Sequence, residues 1–337
     1  MARITSSRAT GNGEESLLHT IQHVQLPMLN RKVAVRVGIG DDAAVWQPRS
    51  GYQTILTCDW FLEDTHFLVD RHPPESVGWK CLARALSDIA AMGADPRCFL
   101  LSLALPKERE GEWLRRFLKG LRSASRSLKC PIAGGDTTRR GQILISLTVI
   151  GECRRGRAVR RSAARPGDVL FITGRLGEAE YGLRLLKSGA KPSDPRVQKH
   201  LYPKPRLAVG QWLAERKMAT AMMDLSDGLS TDLPRLCAAS SVGALIEQHR
   251  IPCVRISRTH GAPDRKRFDP IELAANGGDD YELLFAVSKS RAERLPRVIA
   301  GVTVTRIGEI TANKKIVIVN SNGKAKILVN RGWDPFR

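Results

Sequence analysis

The position of the aspartates constrains this chain more than any other feature of its sequence. Nine of its 18 aspartates lie in six short clusters that also contain Gly, Ser or Thr and that adjoin apolar segments. These nine are Asp41, Asp42, Asp59, Asp88, Asp136, Asp224, Asp227, Asp279 and Asp280. A single aspartate is usually a helix cap or a turn residue. Six clusters on an otherwise basic chain indicate a shared chemical role.

The segments between the clusters predict a mixture of helices and strands. Alternating apolar residues predict a strand over residues 52–61, and apolar residues at helical spacing predict a helix over residues 74–92. The other predicted strands are CFLLSLALP, ILISLTVIGE, DVLFITG, TAMMDL and ELLFAV. The other predicted helices cover residues 14–29, 108–128 and 177–188, and a further helix begins at Leu229. Asn322 and Gly323 predict the turn of a hairpin near the end of the sequence.

The length of the chain favours two domains, because 337 residues exceed the size of an ordinary single domain. Residues 153–165 are rich in Arg and poor in apolar side chains, which is typical of a linker. We therefore predict an N-terminal domain over residues 1–152 and a C-terminal domain over residues 153–337. The predicted fold class is α/β, with helices and strands in both domains.

Charge and hydropathy restrict the classes of protein that the chain can represent. Lys and Arg number 54 against 34 Asp and Glu, a formal net charge of +20. The Arg-rich segments could bind nucleic acid, but aromatic residues, on which single-stranded bases stack, make up only 5% of the sequence. A solvated basic surface is therefore favoured over a nucleic-acid site. The apolar runs are too short for a membrane helix of about 20 residues. Seven cysteines without a C-x-x-C pair favour reduced thiols in a cytoplasmic protein.

The motifs exclude two common nucleotide-binding loops. The sequence contains no G-x-x-x-x-G-K-[ST] loop. GIGDDAAV matches the spacing of a dinucleotide fingerprint, but Pro48 and Gly51 interrupt the helix that must follow it. The carboxylates of Asp41 and Asp42 would also repel a pyrophosphate. Aspartates at strand ends and helix starts instead suit Mg²⁺, which typically lies between a few carboxylates and the phosphates of a substrate.

Seven blocks of sequence that contain these clusters resemble the thiamine-monophosphate kinase family. This family belongs to the superfamily of aminoimidazole-ribonucleotide synthetase and selenophosphate synthetase. The blocks are GIGDDAAV, TCDWFLEDTHF, ALSDIAAMGADP, AGGDTT, RRSAARPGD, DLSDGLSTDL and GGDDYELLF, in family order from about residue 38 to residue 286. LSDIAAMGADP and DLSDGL are specific for the superfamily, whereas TCDWFLEDTHF and GGDDYEL indicate the thiamine-phosphate branch.

The resemblance implies roles for individual residues. The implied Mg²⁺ ligands are Asp42, Thr57, Cys58, Asp59, Asp88, Asp136, Asp224 and Asp227, and the catalytic set among them is Asp42, Asp59, Asp88 and Asp136. The implied ATP contacts are Gly135, Asp136, Arg161 and Ser226, and the implied thiamine-monophosphate contacts are His66, Asp279 and Trp333. Cys58 stands where the family usually has Thr, and Asp279 where it usually has Glu. Because a thiol suits Mg²⁺ poorly, the backbone carbonyl of Cys58 is the alternative ligand atom.

The activity implied by the resemblance is phosphorylation of thiamine monophosphate by ATP, giving thiamine diphosphate. The family is a homodimer joined through its N-terminal domains, and each C-terminal domain covers an active site. The attacking phosphate oxygen is already anionic near pH 7, so in-line transfer assisted by several Mg²⁺ ions needs no general base. Two alternatives remain open. One is another ATP-dependent enzyme of the superfamily, similar to aminoimidazole-ribonucleotide synthetase, and the other is a basic nucleic-acid-binding protein with a degenerate kinase fold.

Overall fold

Two β-sheets, each with helices packed against it, organise the part of the chain that the structure describes. The computed structural model describes residues 35–256 and 268–336, and the structural statements below concern those residues. A two-stranded ribbon of β1 (Val35–Val37) and β2 (Val45–Trp46) comes first along the chain.

The first sheet contains four strands in the order β3-β6-β4-β5. Its elements are β3 (Tyr52–Leu62), β4 (Asp95–Leu105), β5 (Ile132–Arg139) and β6 (Leu144–Arg154), with the helices α1 (Pro74–Ala91) and α2 (Glu112–Leu128). β4 and β5 are parallel, and the other neighbouring strands are antiparallel. Both helices pack against one face of the sheet, where Leu86, Phe99 and Phe117 are fully buried.

The second sheet contains eight strands, of which seven follow the order β14-β13-β9-β12-β7-β10-β8 and β11 pairs with β12. Its strands are β7 (Val169–Thr173), β8 (Ala219–Leu225), β9 (Gly243–Glu247), β10 (Glu282–Val287), β11 (Val298–Ile299), β12 (Val302–Thr311), β13 (Ile316–Val319) and β14 (Ala325–Ile327). The helices of this half are α3 (Glu178–Lys187), α4 (Gln198–Leu201), α5 (Leu207–Glu215), α6 (Leu229–Ser240), α7 (Pro270–Asn276) and α8 (Lys289–Ala292). Short 3₁₀ helices cover Lys107–Arg109, Pro195–Val197 and Gln248–Arg250.

Helix α1 connects the two sheets. It begins with Pro74, whose ring suits the first helical position, and it ends before Gly93, which has a φ of +66°. Its last residues also belong to an apolar cluster that includes Phe171 and Phe285 of the second sheet. A Cβ on Gly210 of α5 would lie 2.0 Å from the Ala90 carbonyl oxygen, so only glycine allows this close approach.

The mixed α/β fold agrees with the sequence prediction, and each predicted strand is present. α2 begins at Glu112 rather than at residue 108, because a 3₁₀ helix and Gly111 precede it. The predicted helix over residues 14–29 lies outside the residues that the structure describes. Strands β2, β5, β9, β11 and β12 were not predicted. Gly308 interrupts the apolar alternation of β12, and it is required because a Cβ there would lie 2.0 Å from the Leu245 carbonyl oxygen. Among the described helices, none is both long enough and apolar enough to cross a membrane.

Candidate functional site

A cavity of about 510 Å³ lies where the two halves of the fold meet. Its wall combines the turn after β3, one face of α1, helix α3, the loop after β8, the loop before β10 and the segment after β14. The sequence-predicted residues on this wall are His66, Ser226, Asp227, Asp279 and Trp333. We call it the His66 cavity. It brings together all three residues that the resemblance assigns to thiamine monophosphate.

Asp279 is held in one position on this wall by two side chains. Lys80 Nζ lies 2.7 Å from Asp279 Oδ2, and the Tyr281 hydroxyl donates to Oδ1 at 2.7 Å. Burial is the largest single effect on Asp279 and opposes its charge, but the neighbouring cations, Lys80 first and then Arg84, together hold the pKa of the carboxyl well below its usual range. Asp279 and Tyr281 have φ values of +66° and +49°, which bulky residues rarely adopt. Such strain occurs most often at functional sites.

Two buried histidines lie behind Asp279. The Nε2 atoms of His72 and His200 are 2.9 Å apart, and Lys80 Nζ lies 3.3 Å from both ring nitrogens of His200. Burial, reinforced by the charge of Lys80, lowers the pKa of His72 to about 4 and the pKa of His200 well below its usual value. Both rings are therefore neutral near pH 7, and the cation of this group is Lys80.

His66 is oriented by the backbone of β3. Its Nδ1 accepts a hydrogen bond from the Leu62 N–H at 3.0 Å. Burial, followed by the charge of Arg84, lowers the pKa of His66 to about 4. Because Nδ1 is an acceptor, the neutral ring carries its proton on Nε2. His66 therefore supplies a neutral hydrogen-bond donor at the cavity.

The loop between β8 and α6 is fixed by an aspartate of α6. Asp232 Oδ2 accepts hydrogen bonds from the backbone N–H groups of Ser226 and Asp227 at 3.1 and 3.0 Å. Arg235 pairs with both Asp227 and Asp232. The Asp227 carbonyl in turn accepts a hydrogen bond from the Trp333 N–H at 2.9 Å. These contacts position Trp333 on the wall of the His66 cavity.

A second cavity of about 390 Å³ contains Thr57, Asp88 and Arg161, and we call it the Asp88 cavity. Thr57 Oγ1 donates to Asp88 Oδ2 at 2.5 Å. Burial raises the pKa of Asp88. Burial and the neighbouring charge of Asp88 raise the pKa of Asp224 to about 8. In residues 35–256 and 268–336, neither carboxylate has a Lys, Arg or His at ion-pair distance, and the positive charge of Arg161 acts on both carboxylates only from farther away.

A third cavity of about 930 Å³ contains Asp42, Gly135 and Asp136, and we call it the Asp136 cavity. Both carboxylates are exposed. Gly135 has a structural reason to be glycine, since a Cβ there would lie 1.9 Å from the Leu101 carbonyl oxygen. The four residues expected to contact ATP are therefore distributed over all three cavities, with Arg161 at the Asp88 cavity and Ser226 at the His66 cavity.

The alternation of β3 separates the two neighbours Cys58 and Asp59. Asp59 lies on the face toward α1, where Arg84 pairs with it at 3.3 Å. Cys58 lies on the opposite, exposed face, with its Sγ 3.5 Å from Ser146 Oγ. The Cys58 thiol therefore lies on the opposite face of the strand from Thr57 and Asp59.

Among the described residues, no three His, Cys, Asp or Glu side chains come close enough together to form a metal site by themselves. The chemistry of the Asp88 and Asp224 pair nevertheless fits Mg²⁺, because the pair offers hard oxygen donors and has no ion-pair partner among the described residues. Mg²⁺ commonly completes its shell with waters and substrate phosphates, so two or three protein oxygens are enough.

Several residues of the His66 cavity were not predicted from the sequence. They are His72, Arg84, His200 and Tyr281 on its wall, and Lys80, which pairs with Asp279, was not predicted either. Lys80, Arg84 and Asp88 recur every four residues along α1, and this spacing could have indicated one polar face. His200 follows a Pro-rich segment and has no comparable signal.

Asp280 has a structural role despite lying in an acidic cluster. Its carboxylate is buried and accepts hydrogen bonds from the N–H groups of Gly177 and Ala179 at 2.5 and 3.1 Å, at the start of α3. Burial raises the pKa of Asp280 to about 7, although these two bonds oppose the increase. Asp280 therefore fixes the loop that presents Asp279.

Comparison with known families defines the class of protein to which this fold and site belong. The model of the AIR synthase related protein, N-terminal domain, matches residues 40–153, and that of the C-terminal domain matches residues 165–320. The chain is therefore of the AIR synthase-related class.

Relatives within that class narrow the assignment. A thiamine-monophosphate kinase from Synechococcus elongatus is 36% identical over 307 residues, which are 88% of this chain and 91% of that protein. The crystal structure of thiamine-monophosphate kinase from Stenotrophomonas maltophilia K279a is 34% identical with a TM-score of 0.77, covering 93% of this chain and 98% of that one. A structure described as AaThiL complexed with AMPPCP and TMP is 32% identical with a TM-score of 0.74, and the match covers 85% of this chain and 88% of that one. The chain belongs to the thiamine-monophosphate kinase family.

Proposed function

We propose that this chain transfers a phosphoryl group from ATP to thiamine monophosphate and releases thiamine diphosphate and ADP. The observation that carries the proposal is the relative described as complexed with AMPPCP and TMP, which shares the fold and 32% of its residues. AMPPCP is an ATP analogue and TMP is thiamine monophosphate. One reactant of the proposed reaction and an analogue of the other are therefore ligands of a structural relative.

Thiamine monophosphate would occupy the His66 cavity. Its thiazolium ring is cationic, and the ionised carboxylate of Asp279 complements that charge. Trp333 offers an aromatic surface on which a cationic ring can stack. His66 offers a neutral N–H donor. The three residues together suit a ligand that combines an aromatic cation with a polar tail.

ATP would extend from the Asp88 cavity toward the Asp136 cavity. Arg161 lies in the same cavity as Asp88 and supplies a permanent positive charge, as a polyphosphate requires. Gly135, Asp136 and Ser226 are the further proposed ATP contacts. The chain contributes orientation and charge, and no side chain has to remove a proton, because the acceptor phosphate is already anionic. Direct in-line transfer follows as part of the proposal.

Several Mg²⁺ ions are part of the same proposal. When bound, Mg²⁺ would neutralise phosphate charge and orient the reacting oxygens. The residues that would hold the ions are Asp42, Thr57, Cys58 through its backbone, Asp88, Asp136, Asp224 and Asp227. The lack of an ion-pair partner for Asp88 and Asp224 among the described residues supports this assignment most directly. Asp59 differs from these residues, because it pairs with the largely buried Arg84, which is 14% exposed, whereas the arginine that pairs with Asp227, Arg235, is 44% exposed.

We further propose a cytoplasmic homodimer joined through the N-terminal domain, residues 1–152, with the C-terminal domain, residues 153–337, covering the site. Support comes from the face of the first sheet that α1 and α2 leave open. Leu56 and Trp60 lie on this face and are 67% and 56% exposed. A row of large apolar side chains on a sheet surface is typical of a protein interface.

The experiment that tests the activity is ADP release from Mg-ATP with three acceptors offered separately: thiamine monophosphate, thiamine and the aminoimidazole-ribonucleotide precursor. We expect release with thiamine monophosphate and its loss in EDTA. Release with the aminoimidazole precursor would instead support the related superfamily enzyme. If ADP is released with none of the three, and DNA or RNA mobility shifts in a salt-dependent manner, the nucleic-acid alternative is favoured.

A further inference from the structure

We propose that Arg84 serves as a built-in cation for Asp59, so that Asp59 does not bind a metal ion in this protein. The inference rests on the proposed function, because it concerns the metal ligands of the same site. It also differs from the expectation based on the resemblance, in which Asp59 is a Mg²⁺ ligand. The structure provides the reason in the contact between β3 and α1.

Arg84 faces both oxygens of the Asp59 carboxylate. Its Nε lies 3.3 Å from Oδ2, and its Nη2 lies 3.4 Å from Oδ1. This arrangement presents the flat edge of the guanidinium to the carboxylate, as a two-point ion pair requires. One lone pair of each carboxylate oxygen is therefore directed at Arg84, and the guanidinium occupies the side on which a metal ion would contact both oxygens.

Asp88, on the next turn of α1, has a different environment. Its hydrogen-bond partner is the hydroxyl of Thr57. Its negative charge acts on the neighbouring buried carboxyl of Asp224. Asp59 and Asp88 thus lie close to one another but differ in charge balance. The first has a two-point ion pair within the chain, whereas the second has no ion-pair partner among the described residues.

Arg84 is poorly placed to leave Asp59. A guanidinium remains protonated at any ordinary pH, and the Arg84 side chain is only 14% exposed. Its guanidinium also lies 5.6 Å from the ring of Phe61. A divalent ion at Asp59 would leave this buried cation without its ion-pair partner and beside a second positive charge, which is an expensive arrangement. Arg84 therefore excludes the ion that Asp59 would otherwise attract.

The test counts Mn²⁺ ions bound per chain by electron paramagnetic resonance, with a non-hydrolysable ATP analogue held constant. We expect Asp59→Asn to bind as many ions as the wild type and Asp88→Asn to bind fewer. Arg84→Met should gain an ion, because it frees the Asp59 carboxylate, whereas the charge-preserving control Arg84→Lys should not. The double variant Arg84→Met/Asp59→Asn should lose the gained ion.

The inference is overturned if Asp59→Asn binds fewer Mn²⁺ ions than the wild type while it retains the wild-type circular dichroism spectrum and melting temperature. Asp59→Asn decides the question even if Arg84→Met does not fold. The assay counts metal ions and does not measure turnover. Failure of the proposed activity would instead appear as absence of ADP release with thiamine monophosphate in the wild type, whatever the metal count.

Discussion

Lys80 Nζ lies 2.7 Å from Asp279 Oδ2 and joins the middle of α1 to the loop before β10. The pair crosses between the two halves of the fold, because α1 packs on the first sheet and β10 belongs to the second. The Lys80 side chain is only 1% exposed, so its charge is removed from water and depends on Asp279. This ion pair connects the wall of the His66 cavity to the packing of the protein.

Removal of Lys80 should therefore reduce stability. Lys80→Met leaves Asp279 ionised without its cation, and loss of one partner of a buried pair typically costs about 3 to 5 kcal/mol. We expect the free energy of unfolding in urea to decrease by an amount near the lower end of this range, because the Asp279 side chain is 28% exposed. The double variant Lys80→Met/Asp279→Asn should recover part of the loss. A double variant less stable than Lys80→Met would contradict the pairing.

Asp88 should contribute strongly to catalysis. Asp88→Asn removes a carboxylate charge from the Asp88 and Asp224 pair, which has no ion-pair partner among the described residues. We expect kcat/KM to fall by about a hundredfold or more, a loss of ~2 to 4 kcal/mol of transition-state stabilisation. Asp70→Asn is the matched control, since Asp70 is exposed and belongs to none of the six clusters. Its activity should stay within about twofold of the wild type. Wild-type activity in Asp88→Asn would exclude the proposed metal role.

The buried His72 and His200 pair should make stability depend on pH. Burial lowers the pKa of His72 from its ordinary value of 6.5 to about 4. Between pH 6.5 and about pH 4, the unfolded chain therefore binds a proton at His72 more readily than the folded protein does. The contribution of neutral His72 to the free energy of unfolding is thus complete above about pH 6.5 and is lost as the pH falls toward 4. The loss is about 3 kcal/mol at most.

The measurement is the free energy of unfolding from pH 7.5 to about pH 4.5 for the wild type, His72→Gln and the control His249→Gln. His249 is exposed, so its replacement should leave the wild-type slope unchanged. His72→Gln should flatten the slope. An equally steep loss of stability in His72→Gln would show that other groups cause the acid sensitivity.

The exposed face of the first sheet should determine the oligomeric state. Leu56→Asp/Trp60→Asp places two charges on that face, and we expect a dimer to become a monomer in light scattering coupled to gel filtration. Val298→Asp is the control, because Val298 is 53% exposed on a strand of the second sheet. It should remain dimeric. A wild type that is monomeric at micromolar concentration would refute the proposed interface.

The sequence predicted the fold well because its signals are local. The alternation in β3 and the helical spacing of α1 each depend on residues within a few positions, and both elements form as expected. The side chains that complete the His66 cavity depend on distant contacts. Lys80 and Asp279 are 199 residues apart, and no short motif indicates that they meet.

The roles of individual aspartates were harder to predict, because identical side chains occupy different environments. Asp280 caps α3, Asp59 pairs with Arg84, and Asp88 lacks a cation partner among the described residues. All three lie in similar acidic clusters of the sequence. Burial and the charge of the neighbouring elements distinguish them, and both emerge only from the packing of α1 against the two sheets.

The central claim is that the terminal phosphoryl group of ATP reaches thiamine monophosphate directly. The most direct measurement incubates the enzyme and Mg²⁺ with thiamine monophosphate and ATP labelled in its γ-phosphate, and follows the label in a rapid-quench experiment. We predict that the label appears in thiamine diphosphate, on its terminal phosphate, without a labelled protein at any time. Label found on the protein at a kinetically competent rate, or only in free phosphate, would contradict the account.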